Sequence, residues 1–99
     1  MTLIERIDNR TANVAVIGLG YVGLPLAVRI AEVGLHTIGI DVKAERVANI
    51  NNGISDIGDI PSAQLAVQTS RGTLRATTDF SAISSVDAVI ICVPTPLNK

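Results

Sequence analysis

Between Val14 and Asp41 the chain strings together pieces in an order that leaves few folds open. The apolar run Val14-Ala15-Val16-Ile17 leads straight into Gly18-Leu19-Gly20-Tyr21-Val22-Gly23, and an apolar stretch of helical spacing follows. A second short segment of β character, His36-Thr37-Ile38-Gly39-Ile40, then ends on Asp41. A strand without apolar–polar alternation is buried on both faces, as in a parallel sheet. Each glycine has a task at such a strand-to-helix turn: Gly18 permits the tight turn, Gly20 leaves room for a pyrophosphate, and Gly23 lets the helix lie close to the strand. The helix amino end adds unpaired N–H groups and about half a positive charge. Asp41 stands where a carboxylate accepts the hydroxyls of an adenosine ribose and repels a 2′-phosphate. The sequence thus points to a bound dinucleotide, and to NAD over NADP.

The rest of the chain extends the same pattern. The first helix is predicted from about Tyr21 or Val22 to Gly34, with Pro25 in its first turn, where a missing N–H costs little. Val22, Leu26, Ile30 and Val33 are expected to pack on the sheet, with Leu24, Val28 and Ala31 as a second apolar stripe. A helix this apolar all round is covered on more than one side. Lys43 to Asn52 reads as a second helix with Ala44, Val47 and Ile50 inward. After a loop from Ile54 to Ile60, Pro61 opens a third helical stretch to about Ser70, closed by Arg71-Gly72. Leu74 to Thr77 reads as a third strand, Asp79 to Ser85 as a brief turn or helix, and Asp87 to Val93 as a fourth strand halted by Pro94.

Right-handed crossovers between sequential neighbours give the strand order 3-2-1-4. The expected fold is α/β: a partial Rossmann-type doubly wound parallel sheet, with the last strands of the full domain missing. Met1 to Ala12 is polar and reads as an N-terminal arm, and residues 13–99 as a truncated NAD-binding domain. The glycine loop and the Pro94-Thr95-Pro96 loop flank one crevice. Thr95 is held extended between two prolines there, within reach of the nicotinamide-side ribose or the pyrophosphate.

Composition narrows the alternatives. At 99 residues the chain is one domain at most. Hydrophobic residues make up 47%, yet Phe80 and Tyr21 are its aromatics, so packing rests on Val, Ile, Leu and Ala. That suits strands covered by helices on both faces. A net charge of −1 without a basic run gives no footing for nucleic acid or an anionic membrane surface. No apolar run approaches the ~20 residues of a membrane span, and a single cysteine excludes an internal disulfide; the expected setting is the cytoplasm.

The remaining chemistry-bearing residues sort by their surroundings. Arg46 lies one helical turn beyond Asp41, able to reach the adenosine end or to pair with neighbours such as Glu45. Lys43 is expected to face solvent. Cys92, within Val89-Ile90-Ile91-Cys92-Val93, has no basic residue beside it and reads as an inert thiol. His36 starts the second strand, at the end opposite the crevice. No metal-ligand cluster and no hydrolytic triad can be assembled from the sequence.

The segments from Val16 through Gly18-Leu19-Gly20-Tyr21-Val22-Gly23 to Ala27, Gly39-Ile40-Asp41, Leu74 to Phe80, and Cys92-Val93-Pro94-Thr95-Pro96-Leu97 together resemble the UDP-glucose/GDP-mannose dehydrogenase family. Those enzymes oxidise the C6 hydroxyl of a nucleotide sugar to a carboxylate with two NAD⁺. The resemblance implies NAD contacts from Gly18, Leu19, Gly20, Tyr21, Val22, Gly23, Asp41, Arg46, Val93, Pro94, Thr95, Pro96 and Leu97, and a UDP-sugar as substrate. The loop from Ile57 to Ser62, with the Val93–Pro96 ending, looks closer to the UDP-N-acetylhexosamine branch than to the UDP-glucose branch. The family's catalytic cysteine lies well downstream of any position matched here, so the resemblance implies a chain that binds NAD and oxidises nothing by itself.

Two other readings remain: a stand-alone nucleotide-sensing regulatory module, and an NAD-dependent hydroxy-acid dehydrogenase of the same superfold. With the later strands missing, the fourth strand and the bare helix faces are expected to mediate homo-oligomerisation.

Overall fold

The computed structural model describes residues 12–56, 58 and 60–92. Four strands, β1 (Asn13–Ile17), β2 (His36–Ile40), β3 (Leu74–Thr77) and β4 (Ala88–Ile91), form one sheet in the order β3-β2-β1-β4. All three pairings are parallel, with Val14 opposite Thr37 and Ala88, and Gly39 opposite Ala76. Three helices, α1 (Gly23–Glu32), α2 (Ala44–Asn51) and α3 (Ser62–Arg71), and a 3-10 helix over Phe80–Ser85 make the connections. The expected Rossmann-type order is therefore present.

The expected cover on both faces is unequal among the described residues. Val14 and Val16 of β1 and Leu74 and Ala76 of β3 join Leu24, Ala27, Val28 and Ala31 of α1, Val47 and Ile50 of α2, and Leu65 of α3 in one core. The opposite face, built on Ala15, Ile38 and Ile40, is met by Ala82, Ile83 and Val86 in and just after the 3-10 helix. Topology explains the difference. The crossovers from β1 to β2 and from β2 to β3 step the same way across the sheet, so one handedness lays their helices on one face. The step back from β3 to β4 reverses direction and crosses the other face.

Of the stripe expected to face the sheet, Ile30 packs half-buried against the main core, but helix α1 turns its neighbouring face fully inward. Leu24, Ala27, Val28 and Ala31 are buried, whereas Val22 and Val33, assigned to the sheet-facing stripe, are 67% and 56% exposed. Gly23 sets this rotation. A Cβ on Gly23 would stand 1.5 Å from the Gly18 carbonyl oxygen, so this side of the helix is pressed on the end of β1. Residues one, four, five and eight positions on from Gly23 must then face the sheet. The helix begins one or two residues later than expected and closes at Gly34, at φ 99°. In α2, Val47 and Ile50 are buried as expected but Ala44 is exposed.

The two sheet edges differ. At β3 the Asn51 side chain acts as a substitute strand: its Oδ1 accepts from Ala76 N–H (2.8 Å) and its Nδ2 donates to Ala76 C=O (2.9 Å). At β4, Ile91 is 65% exposed. Ala12, placed at the end of the arm, is fully buried in the main core.

Candidate cofactor-binding site

The carboxyl ends of β1, β2 and β4 meet where strand order reverses, the usual place for a ligand in an open parallel sheet. Gly18 leaves β1 at φ 92°, in the left-handed region, and its N–H donates to the Ile40 carbonyl (2.8 Å). The loop is thus tied to the end of β2 from its first residue. Leu19 turns inward and is fully buried. It needs Gly39 beneath it, for a Cβ at Gly39 would lie 2.8 Å from the Leu19 methyl carbons. Tyr21 and Val22 stand exposed on the outer side of the loop.

The amino end of α1 is bare. No side chain caps it, and its first turn holds no acidic residue. The N–H of Leu24 is taken by the Gly20 carbonyl (3.2 Å), and Pro25 has none to offer. The first N–H groups of a helix have no acceptor within it, and an anion at such an end meets both donors and the positive pole.

Asp41 links the loop to the strand that follows it. Its Oδ2 accepts from Leu19 N–H (2.8 Å), and its Oδ1 accepts from Lys43 N–H (2.9 Å). The residue is 8% exposed. Burial by itself would push its carboxyl up, but the N–H groups of Leu19 and Lys43 and the charges of Arg46 and Lys43 outweigh it. The result lies below the ordinary value of 3.8. Asp41 is therefore a carboxylate at neutral pH, and each oxygen keeps a second lone-pair direction for a hydroxyl donor. The bond to Lys43 is a local turn rather than a helix cap: α2 is preceded by Lys43 itself, with no side-chain cap. The Leu19 N–H, spent on Asp41, is not available to a phosphate.

Arg46 pairs with Asp56 rather than with Glu45. Its Nε donates to Asp56 Oδ2 at 3.2 Å, and its Nη1 lies 3.9 Å from Asp41 Oδ2. Nothing in the spacing of the sequence marked Asp56, because it comes from the loop beyond α2 and reaches back ten residues. Cys92 follows β4, where its N–H donates to the Ile17 carbonyl (2.7 Å) and its Cβ would stand 3.4 Å from a Cβ on Gly23. Half-buried against the main core, it fits the reading of a packing thiol. Val93, Pro94, Thr95, Pro96 and Leu97 lie outside the described residues.

The loop, the helix end and the acid thus gather at one corner of the sheet's carboxyl end, where a Cβ at Gly20 would stand 3.9 Å from Arg46 Nη1. A separate hollow of about 370 Å³, lined by Asn13, His36, Thr37, Ile38, Gly72, Arg75 and Ser85, lies at the amino ends of the strands. That is the wrong end for a ligand of this fold. Among the described residues no three His, Cys, Asp or Glu side chains gather to hold a metal ion, and no helix is long and apolar enough to cross a membrane.

Residues 12–99 match the UDP-glucose/GDP-mannose dehydrogenase family, NAD binding domain. The chain belongs to this family. It is similar to a UDP-glucose 6-dehydrogenase of Haloferax volcanii, 36% identical over 84 residues, covering 85% of this chain and 20% of the relative. A UDP-N-acetyl-D-mannosamine dehydrogenase of Pyrococcus horikoshii is 36% identical over 87 residues, covering 87% of this chain and 21% of the relative. A crystal structure of a GDP-mannose dehydrogenase ternary complex from Pseudomonas aeruginosa superimposes with a TM-score of 0.80 at 38% identity, over 87% of this chain and 20% of that one. The chain therefore spans about a fifth of the length of these relatives. Its fold is that of a Rossmann-type NAD-binding domain, and its cofactor is NAD.

Proposed function

We propose that this chain is the NAD-binding portion of a nucleotide-sugar 6-dehydrogenase, whose substrate is a UDP-sugar oxidised at C6 to a carboxylate. The observation that carries this reading is the Asp41 carboxylate, fixed by the loop's own Leu19 N–H at 2.8 Å beside the uncapped amino end of α1. In this reading the turn from Gly18 to Gly23 and the helix end hold the pyrophosphate. Asp41 accepts the adenosine ribose hydroxyls, Arg46 stands at the adenosine end, and Val93 to Leu97 line the nicotinamide side. Bound NAD supplies the hydride acceptor. This chain's residues bind and orient it.

The Pyrococcus horikoshii relative and the loop from Ile57 to Ser62 support a UDP-N-acetylhexosamine as the sugar. The chain's one thiol, Cys92, is packed beside Gly23 with no basic neighbour, and we infer that the 99 residues bind NAD without oxidising a sugar themselves. Titration calorimetry of the purified chain tests both parts. NAD⁺ is expected to bind and NADP⁺ to bind more weakly, with no reduction of NAD⁺ on addition of UDP-sugars. Equal affinity for the two dinucleotides would overturn the role of Asp41, and steady turnover would overturn the inference about Cys92.

A further inference from the structure

Arg46 occupies an unfavourable position for a cation. It sits in the first turn of α2, near the positive pole of that helix. Two carboxylates from different segments offset this. The Nε–H is committed to Asp56 at 3.2 Å, while Nη1 stops 3.9 Å from Asp41, beyond hydrogen-bond length. The same Nη1 lies 3.9 Å from where a Cβ on Gly20 would stand. The guanidinium is therefore drawn to one side, leaning over the glycine loop without closing on Asp41.

We propose that Asp56 is a positioning and specificity-determining residue for the dinucleotide. By holding Arg46 through Nε, it keeps the guanidinium from collapsing into a close ion pair with Asp41, so the Asp41 oxygens stay open to ribose hydroxyls. It also places a second carboxylate on the guanidinium that stands next to Asp41. With Arg46 and Lys43 set against the two carboxylates, the corner carries no excess positive charge to attract a 2′-phosphate. Without Asp56 the corner becomes net positive, and Arg46 can swing onto Asp41 or onto a 2′-phosphate, as arginines do in sites that accept NADP. This rests on the reading of Gly18 to Gly23 and Asp41 as the NAD site.

The two roles are separable by experiment. Asp56 is exposed and its ion pair contributes little to folding, so Asp56→Ala is expected to leave the melting temperature nearly unchanged. Titrations of NAD⁺ and NADP⁺ against the wild-type chain, Asp56→Ala, Arg46→Gln and the double variant give the readout. Asp56→Ala is expected to weaken NAD⁺ about twofold and to shift the NADP⁺/NAD⁺ affinity ratio toward NADP⁺ by about three- to fivefold, from the loss of one charge interaction near the surface. In the Arg46→Gln background the same substitution is expected to shift the ratio by less than half as much on a logarithmic scale. An unchanged ratio in Asp56→Ala, or an equal shift with and without Arg46, overturns the proposal while the NAD site stands. Loss of NAD⁺ selectivity on Asp41→Ala marks that site as intact in the wild type. A wild-type chain that binds neither dinucleotide overturns the site and the proposal together.

Discussion

A single carboxylate serves both the shape and the chemistry of the glycine loop. Asp41 accepts backbone donors from Leu19 and Lys43, and it is the acceptor proposed for the ribose. Asp41→Ala is expected to weaken NAD⁺ binding by about 1.5–3 kcal/mol, the range for hydrogen bonds to a charged group. An unchanged dissociation constant would remove that role. The depressed pKa of Asp41 fixes the direction of the pH dependence. Its stabilising contribution is complete above the unfolded carboxyl value of about 3.9 and is lost as pH falls from there through the lower folded value. Thermal melts are therefore expected to show this contribution flat from about pH 5 to 7 and declining below about pH 4, with a shallower acid decline in Asp41→Ala. The sequence displayed Asp41 because its distance from the glycines is a matter of counting. It hid the commitment of Leu19 N–H to that acid, which depends on how the loop folds back over Gly39.

At the scale of elements, helix position was legible and helix rotation was not. Counting apolar residues gave α1 two plausible faces, and the larger side chains favoured the wrong one. The deciding contact is made by a residue with no side chain, Gly23 against the Gly18 carbonyl. Gly23→Ala is expected to force the helix off the strand, destabilising the domain by about 1–3 kcal/mol and reducing NAD⁺ affinity with it. Urea unfolding and a cofactor titration on the same variant check both effects. Asn51 makes the opposite kind of contact, long-range and polar, and nothing in its neighbourhood along the chain announces it. Its amide satisfies both backbone groups of Ala76. Asn51→Ala is expected to cost about 1–3 kcal/mol in urea unfolding, for polar groups left without their partner. A loss below about 0.5 kcal/mol would mean that water replaces the amide fully.

For the molecule as a whole, the order of strands follows from handedness and adjacency alone, which is why it is legible in the sequence. The distribution of cover over the two faces needed one more step, the reversal of direction between β3 and β4. That reversal leaves Val89 and Ile91 exposed on β4, whereas Val22 and Val33 of α1 are exposed by the rotation that Gly23 sets. We expect the chain to self-associate through β4, with a weight-average mass that rises with concentration in sedimentation equilibrium. Ile91→Lys, which puts a charge on the exposed edge strand, is expected to return it to a monomer. A wild-type chain that stays monomeric across the same range would exclude that route.

The unequal edges give the sheet a growth direction. On one side Asn51 already occupies the place of a neighbouring strand at Ala76, so that row is terminated as a capped polymer end is. On the other, no described residue lies in that place beside β4, the last strand in the order. A further strand, from whatever source, has one productive place to join, and joining there continues the sheet away from β1. Among the described residues the sheet is thus closed on the β3 side and open on the β4 side, and the open side begins at the seam between β1 and β4 where strand order reverses.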